Sequence, residues 1–133
     1  MYEGRGRGVK RNILLIEDCP EDQQCLSDTL QAHGYTVSTI SDPLRAMSKV
    51  EDWARQYHLV IIEEAMAGRS GLTLLREARV KRHDLPVVVV TREGDWNGYA
   101  RALSEGAIGY IPYPIDRREL LATVEQALNA VAA

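Results

Sequence analysis

Three short polar clusters hold the groups in this sequence that could do chemistry: Glu17 with Asp18, Glu63 with Glu64, and Thr91 with Arg92 and Glu93. Each follows directly on an apolar run, Ile13 to Ile16, Leu59 to Ile62 and Val87 to Val90. If those runs are parallel strands, the clusters share the carboxyl edge of one sheet, where ligands of open parallel sheets bind. Gathered carboxylates repel one another, so their coincidence points either to a bound cation or to solvated acidic loops.

The elements that must position these groups are legible from periodicity. From Asn12 onward, short apolar runs alternate with helical stretches, the pattern of βα units around a parallel sheet. Strands are expected at Ile13 to Ile16, Thr36 to Ile40, Leu59 to Ile62, Val87 to Val90 and Ile108 to Ile111; four of them are apolar without alternation, as strands covered on both faces are. Pro20 with Glu21 and Asp22 opens the first helix and Gly34 closes it. Asp42-Pro43 opens a second, Ser70 or Gly71 a third, and Asp95 a fourth that Gly106 ends. Asp116 with Glu119 forms a capping box for the last helix, where Leu120, Leu121, Val124, Leu128 and Val131 recur at helical spacing. The fold class is α/β: a three-layer, doubly wound (βα)5 unit with a five-stranded parallel sheet, flavodoxin-like in architecture.

Composition bounds the rest. A chain of 133 residues, 45% apolar and 26% charged, is sized for one domain with a real core. Residues 1–11 hold three glycines and four basic side chains and read as a flexible basic tail, with residues 12–133 as the single domain. The charge balance, 16 − 19 = −3, offers no global positive field for nucleic acid. No apolar run approaches the roughly 20 residues of a membrane span, and no apolar leader is present. Cys19 and Cys25 lie outside any metal-type spacing and read as free thiols in a cytoplasmic protein, Cys25 on the inner face of the first helix.

Four stretches, in order and at consistent separations, resemble the receiver (CheY-like) domain of two-component response regulators over nearly the whole span from Asn12 to Ala130. ILLIEDCPED is similar to the first strand with its acidic pair, and LVIIEEAMAGRSGLTLLREAR to the phosphoacceptor strand, loop and following helix. LPVVVVT is similar to the fourth strand ending in its hydroxyl residue, and EGAIGYIPYPID to the stretch that normally ends in Lys-Pro. The resemblance implies phosphorelay signalling, in which an aspartate closing the third strand takes a phosphoryl group from a histidine kinase while acidic residues hold magnesium. It further implies metal ligation by Glu17, Asp18 and Glu63, hard oxygen donors suited to Mg2+. Thr91 matches the switch hydroxyl, Tyr110 the switch aromatic, and Tyr113-Pro114 a peptide bond that is cis in the family.

Two positions depart from the family. Registered through Met66, Gly68 and Gly71, the acceptor position is Glu63, and the lysine position before Pro114 is Tyr113. Glutamate places its oxygens about 1.5 Å further from the backbone, and misplacement near 1 Å can cost on the order of 100-fold in rate. Phosphoryl acceptance at Glu63 should therefore be lost or weakened, with the longer carboxylate reaching toward the space a phosphoryl group would fill. Arg92 is the residue that could approach Glu63 and replace the missing ammonium. The resulting expectation is a pseudo-receiver, a binding switch rather than an enzyme.

The resemblance places its contacts with a histidine kinase, a downstream target or a second copy of the chain on the fourth helix, fifth strand and fifth helix. Trp96, Tyr99, Tyr110 and Tyr113 concentrate there in a chain without phenylalanine. Two alternatives stand beside this reading. One is a receiver that still accepts phosphate through a non-standard acceptor, Glu63 or nearby Asp18, with Arg92 as the cation. The other is a small flavodoxin-like enzyme or nucleotide binder, for which the chain offers no GxGxxG, P-loop or nucleophile elbow.

Overall fold

A computed structural model describes residues 11–67 and 69–132, with the side chains of Arg69, Val131 and Ala132 set aside. The tail at residues 1–10, Gly68 of the register and Val131 of the last helix's apolar repeat thus lie outside the described residues or side chains. Five strands, β1 (Asn12–Ile16), β2 (Thr36–Ile40), β3 (Leu59–Glu63), β6 (Val87–Thr91) and β7 (Gly109–Pro112), form one parallel sheet in the order β2-β1-β3-β6-β7. The two-residue strands β4 (Ala65–Met66) and β5 (Arg69–Ser70) pair antiparallel in the connection after β3. The helices are α1 (Pro20–Ala32), α2 (Pro43–Ser48), α3 (Val50–Gln56), α4 (Gly71–Lys81), α5 (Trp96–Ser104) and α6 (Arg117–Ala132).

Alternate residues of the central strands feed two cores, because successive side chains leave a strand on opposite faces. Leu14, Ile16, Val60, Ile62, Val87 and Val89 pack with residues of α2 to α5, and Ile13, Leu15, Leu59, Ile61, Val88 and Val90 with residues of α1 and α6. Burial on both faces is what leaves β1, β3 and β6 no room for polar alternation.

The start signals act as expected. Ser70 Oγ accepts from the Leu72 N–H, Asp95 Oδ1 from Gly98 N–H, and Asp116 Oδ1 from the N–H groups of Arg118 and Glu119. Gly34 and Gly106, at φ 99° and 102°, occupy the left-handed region after α1 and α5.

The structure corrects the sequence reading in three places. The second helix breaks at Lys49 (φ −111°, ψ 12°), and the buried indole of Trp53 donates across the break to the Ala46 carbonyl at 2.8 Å. The last strand starts one residue later than expected and lies at the sheet edge, so only Ile111 of its residues is fully buried and Ile108 is exposed. Cys25 is exposed, since the inward face of α1 is Asp22, Leu26 and Leu30.

Candidate functional site

The sheet order brings the C-terminal ends of β1, β3 and β6 side by side, and with them Glu17, Glu63 and Thr91. All three are buried: Glu17 is 1% exposed, Glu63 2% and Thr91 0%. Glu63 is the last residue of β3, on the side that faces α1 and α6. Its Oε2 accepts the Ala65 N–H at 3.0 Å, while Oε1 is buried with no hydrogen-bond partner. Burial pushes its pKa up to about 8; the Ala65 N–H offsets this only in part, and the neighbouring charges of Glu17 and Asp22 raise it further. At neutral pH this carboxyl therefore holds a proton much of the time, and a protonated carboxyl is a poor nucleophile.

Glu17 is better supplied. Its Oε2 accepts the Cys19 N–H at 3.1 Å and its Oε1 accepts the phenol O–H of Tyr113 at 2.9 Å. Burial still raises its pKa, against the pull of those two donors. Tyr113 precedes Pro114 across a cis peptide bond, as the sequence reading expects, and burial together with the Glu17 charge pushes its phenol well above the ordinary tyrosine range.

Arg92 stands elsewhere than expected. It does not pair with Glu63 but forks onto Asp22 of α1, its Nε donating to Oδ2 at 2.7 Å and its Nη2 contacting both carboxylate oxygens. Its guanidinium lies 4.6 Å from the centroid of the Tyr113 ring, and the Asp22 bonds push its pKa higher still. Asp22 is the residue of this site that the sequence reading missed. The signal was available: Asp22, Leu26 and Leu30 repeat at helical spacing, which turns this carboxylate inward although it sits in the first turn of α1.

The remaining residues divide between the two faces. Asp18 Oδ2 accepts the Ala67 N–H at 2.9 Å, so it ties the loop after β1 to the loop after β3. Thr91 Oγ1 accepts the Glu93 N–H at 3.0 Å, a strand-end hydroxyl satisfied by backbone. Tyr110 lies on the opposite side of the sheet from Glu63, donating its O–H to Glu64 Oε1 at 2.6 Å and packing edge-on against Tyr99. Burial and the Glu64 carboxylate push the Tyr110 phenol up to about 12.

The donor set is chemically right for a hard cation, but its arrangement does not fit one. Tyr113 occupies Glu17 Oε1, a backbone amide occupies Asp18 Oδ2, and among the described residues no three of the acidic or metal-binding side chains gather into a cation-holding group. Among the described residues, Glu63 Oε1 is the one buried side-chain oxygen or nitrogen without a hydrogen-bond partner.

Comparison with known proteins places the chain. A family model for the response regulator receiver domain matches residues 13–125, and the chain belongs to that family. It is 32% identical, over 91% of its length, to the C4-dicarboxylate transport transcriptional regulatory protein DctD of Pseudomonas aeruginosa, and 29% identical over 90% to the two-component response regulator PhoP of the same organism. The chain spans about a quarter of the first relative and half of the second. Among solved structures, a response regulator receiver domain protein from Clostridium thermocellum superposes with a TM-score of 0.84 at 25% identity, covering 92% of this chain and 97% of that one. The receiver domain of a sensor histidine kinase from Pseudomonas aeruginosa, described with a magnesium ion coordinated in its active-site cleft, matches the fold at a TM-score of 0.78 and 23% identity, covering 90% of this chain and 98% of that one. Receiver domains are signalling modules that work by contact with histidine kinases or effector domains. No helix among the described residues is long and apolar enough to cross a membrane.

Proposed function

We propose that residues 12–133 form an atypical receiver in which phosphoryl acceptance is lost or strongly weakened, and which acts through protein contact in a cytoplasmic two-component pathway. The reading rests chiefly on Glu63. The residue at the acceptor position is a buried carboxyl with a single hydrogen-bond donor and a pKa near 8, and the position of the attendant ammonium is taken by the phenol of Tyr113. A neutral carboxyl whose Oε2 is held by the Ala65 amide lacks the charge for in-line attack, and the extra methylene of glutamate sets its oxygens at the wrong distance for it. Thr91, whose hydroxyl accepts from Glu93 rather than pointing an unpaired group at Glu63, is the switch hydroxyl in this scheme, and Tyr110 the switch aromatic.

The contact face is formed by α5, β7 and α6. Trp96 is 75% exposed there, Tyr99, Leu103 and Ile108 are exposed too, and a shallow groove of about 470 Å³ runs beside them. Large amphipathic rings left open to solvent suit a protein partner, whether a kinase, a target or a second copy. The test is incubation of the full chain with acetyl phosphate and Mg2+, followed by intact mass. No phosphoryl adduct is expected; a labile gain of one phosphoryl group, on Glu63, Asp18 or any other residue, overturns the reading.

A further inference from the structure

The positive charge and the hydrogen-bond donor that face this acidic pocket come from the chain itself. Asp22 is only 8% exposed, yet its carboxylate is matched by the forked guanidinium of Arg92. Arg92 in turn lies over the ring of Tyr113, and the phenol of that same ring donates to Glu17 Oε1. One stacked pair thus serves two of the three buried carboxylates, from two loops that follow β6 and β7. We propose that Arg92 and Tyr113 are a built-in substitute for a divalent cation, and that they exclude Mg2+ from this domain. The proposal deepens the reading of the site as an inactive acceptor, on which it rests, by naming the residues that decide its cation chemistry.

The physical argument runs through the needs of the ion. Mg2+ dehydrates reluctantly and demands octahedral oxygen geometry, with one or two carboxylates at short range. Ligation through Glu17 Oε1 would require displacing the Tyr113 phenol, and the Asp22 carboxylate is already held by the Arg92 guanidinium, which among the described residues leaves Glu63 Oε1 without a second free buried carboxylate oxygen to complete a site. A buried carboxylate that has lost its donor is penalised more than the bond itself contributes, so the cap is not released cheaply. The side chain of Arg92 remains 55% exposed, so its positive charge also faces solvent and opposes the approach of a second cation.

Calorimetric titration of the full chain with MgCl2, at constant ionic strength and without any phosphodonor, tests this. The wild type should give no saturable heat below about 10 mM, weaker than the roughly millimolar end of protein divalent-cation sites. Tyr113→Phe leaves the ring beneath Arg92 but frees Glu17 Oε1, and Arg92→Ala combined with it also frees Asp22; the double variant should bind Mg2+ at least about tenfold more tightly than the wild type. Saturation of the wild type below about 10 mM overturns the proposal. So does a double variant that melts cooperatively and still binds no better. If the double variant does not fold, Tyr113→Phe alone must bind more tightly, and its failure to do so is equally decisive. A wild type that takes up Mg2+ yet gains no phosphoryl group from acetyl phosphate overturns this proposal and leaves the functional reading standing, whereas a phosphoryl adduct overturns the functional reading.

Discussion

Glu63 and Glu64 are consecutive residues with the same side chain, and the fold treats them in opposite ways. Glu63 turns toward α1 and α6, where it meets one amide donor, two other carboxylates and no water-exposed surface. Glu64 turns to the other face of the sheet, half-buried, where the Tyr110 phenol donates to it at 2.6 Å beside an open polar depression lined by Asp95, Gly98 and Arg101. The alternation of a strand makes this divergence unavoidable: one step along β3 changes which layer a side chain enters. Donor supply, then, and not residue type, decides which carboxylate carries electrostatic tension and which one ties elements together. The face with tension is closed by Arg92 and Tyr113; the face with the tie carries the exposed aromatics.

Two glycines, both on the α2–α5 side of the sheet, test how rigidly each glutamate is held, Gly71 through the backbone of Glu63 and Gly98 through the side chain of Glu64. A Cβ on Gly71, the first residue of α4, would lie 2.2 Å from the backbone oxygen of Glu63 and 2.9 Å from Ile62 Cγ2. Neither the strand nor the helix can yield without the other moving, so Gly71→Ala should destabilise the domain by about 3 kcal/mol, at the upper end of overpacking effects. Urea unfolding would measure it. A loss below about 1 kcal/mol would show that α4 slides easily over the end of β3, and that the setting of Glu63 is far softer than its burial implies.

The tension at Glu63 has its own signature in pH. Its folded pKa is raised to about 8 from a reference of 4.5, so the folded state binds this proton more tightly than the unfolded chain does. The stability it contributes is complete below about 4.5 and is lost as pH rises through that interval, ending near 8. Wild-type unfolding free energy should therefore fall across pH 5 to 8, by on the order of 2 kcal/mol once relaxation and water entry are allowed for. In Glu63→Gln, where a neutral amide of the same length takes the place of the acid, the slope should fall markedly, leaving the part set by Glu17, whose pKa burial also raises. Equal slopes in the two proteins would mean that Glu63 is already ionised at pH 6 and that some other group sets the dependence.

Much of this arrangement is written locally and some of it is not. The apolar runs ending at Ile16, Ile62 and Val90 fix three central strands, and those strands bring the acidic clusters to one edge without any knowledge of packing. The caps at Ser70, Asp95 and Asp116 are equally local, each a side chain bonding backbone two or three residues away. The break at Lys49 is not, because it is accommodated by a buried indole that reaches back over the turn. Nor is the Arg92–Asp22 fork, which joins residues 70 apart in sequence. An arginine beside a candidate acceptor suggests a pairing with that acceptor, and only the inward set of Asp22 on α1 diverts it. The exposure of β7 was hidden for a similar reason: an apolar strand at a sheet edge reads the same as one in the centre.

The second glycine tests the softer setting, that of the Glu64 side chain. In α5 a Cβ on Gly98 would meet the Tyr110 phenol oxygen at 2.5 Å and Glu64 Oε2 at 2.8 Å, both at the far ends of side chains that can swing aside. Alanine is favoured over glycine inside a helix by about 0.8–1.0 kcal/mol, and losing one charge-assisted hydrogen bond costs about 1.5 kcal/mol or somewhat more. The two nearly cancel, so Gly98→Ala should change stability by less than about 1 kcal/mol. What should change is the phenol: Tyr110, pushed up to about 12 by burial and by Glu64, should titrate closer to the ordinary 10 once that bond is displaced. Side-chain carbon shifts of Tyr110 followed against pH would show it. A Gly98→Ala protein as damaged as Gly71→Ala, or one whose Tyr110 titrates unchanged, would mean that the Glu64 side chain is held as stiffly as the Glu63 backbone and that the contrast between the two glutamates is one of charge alone.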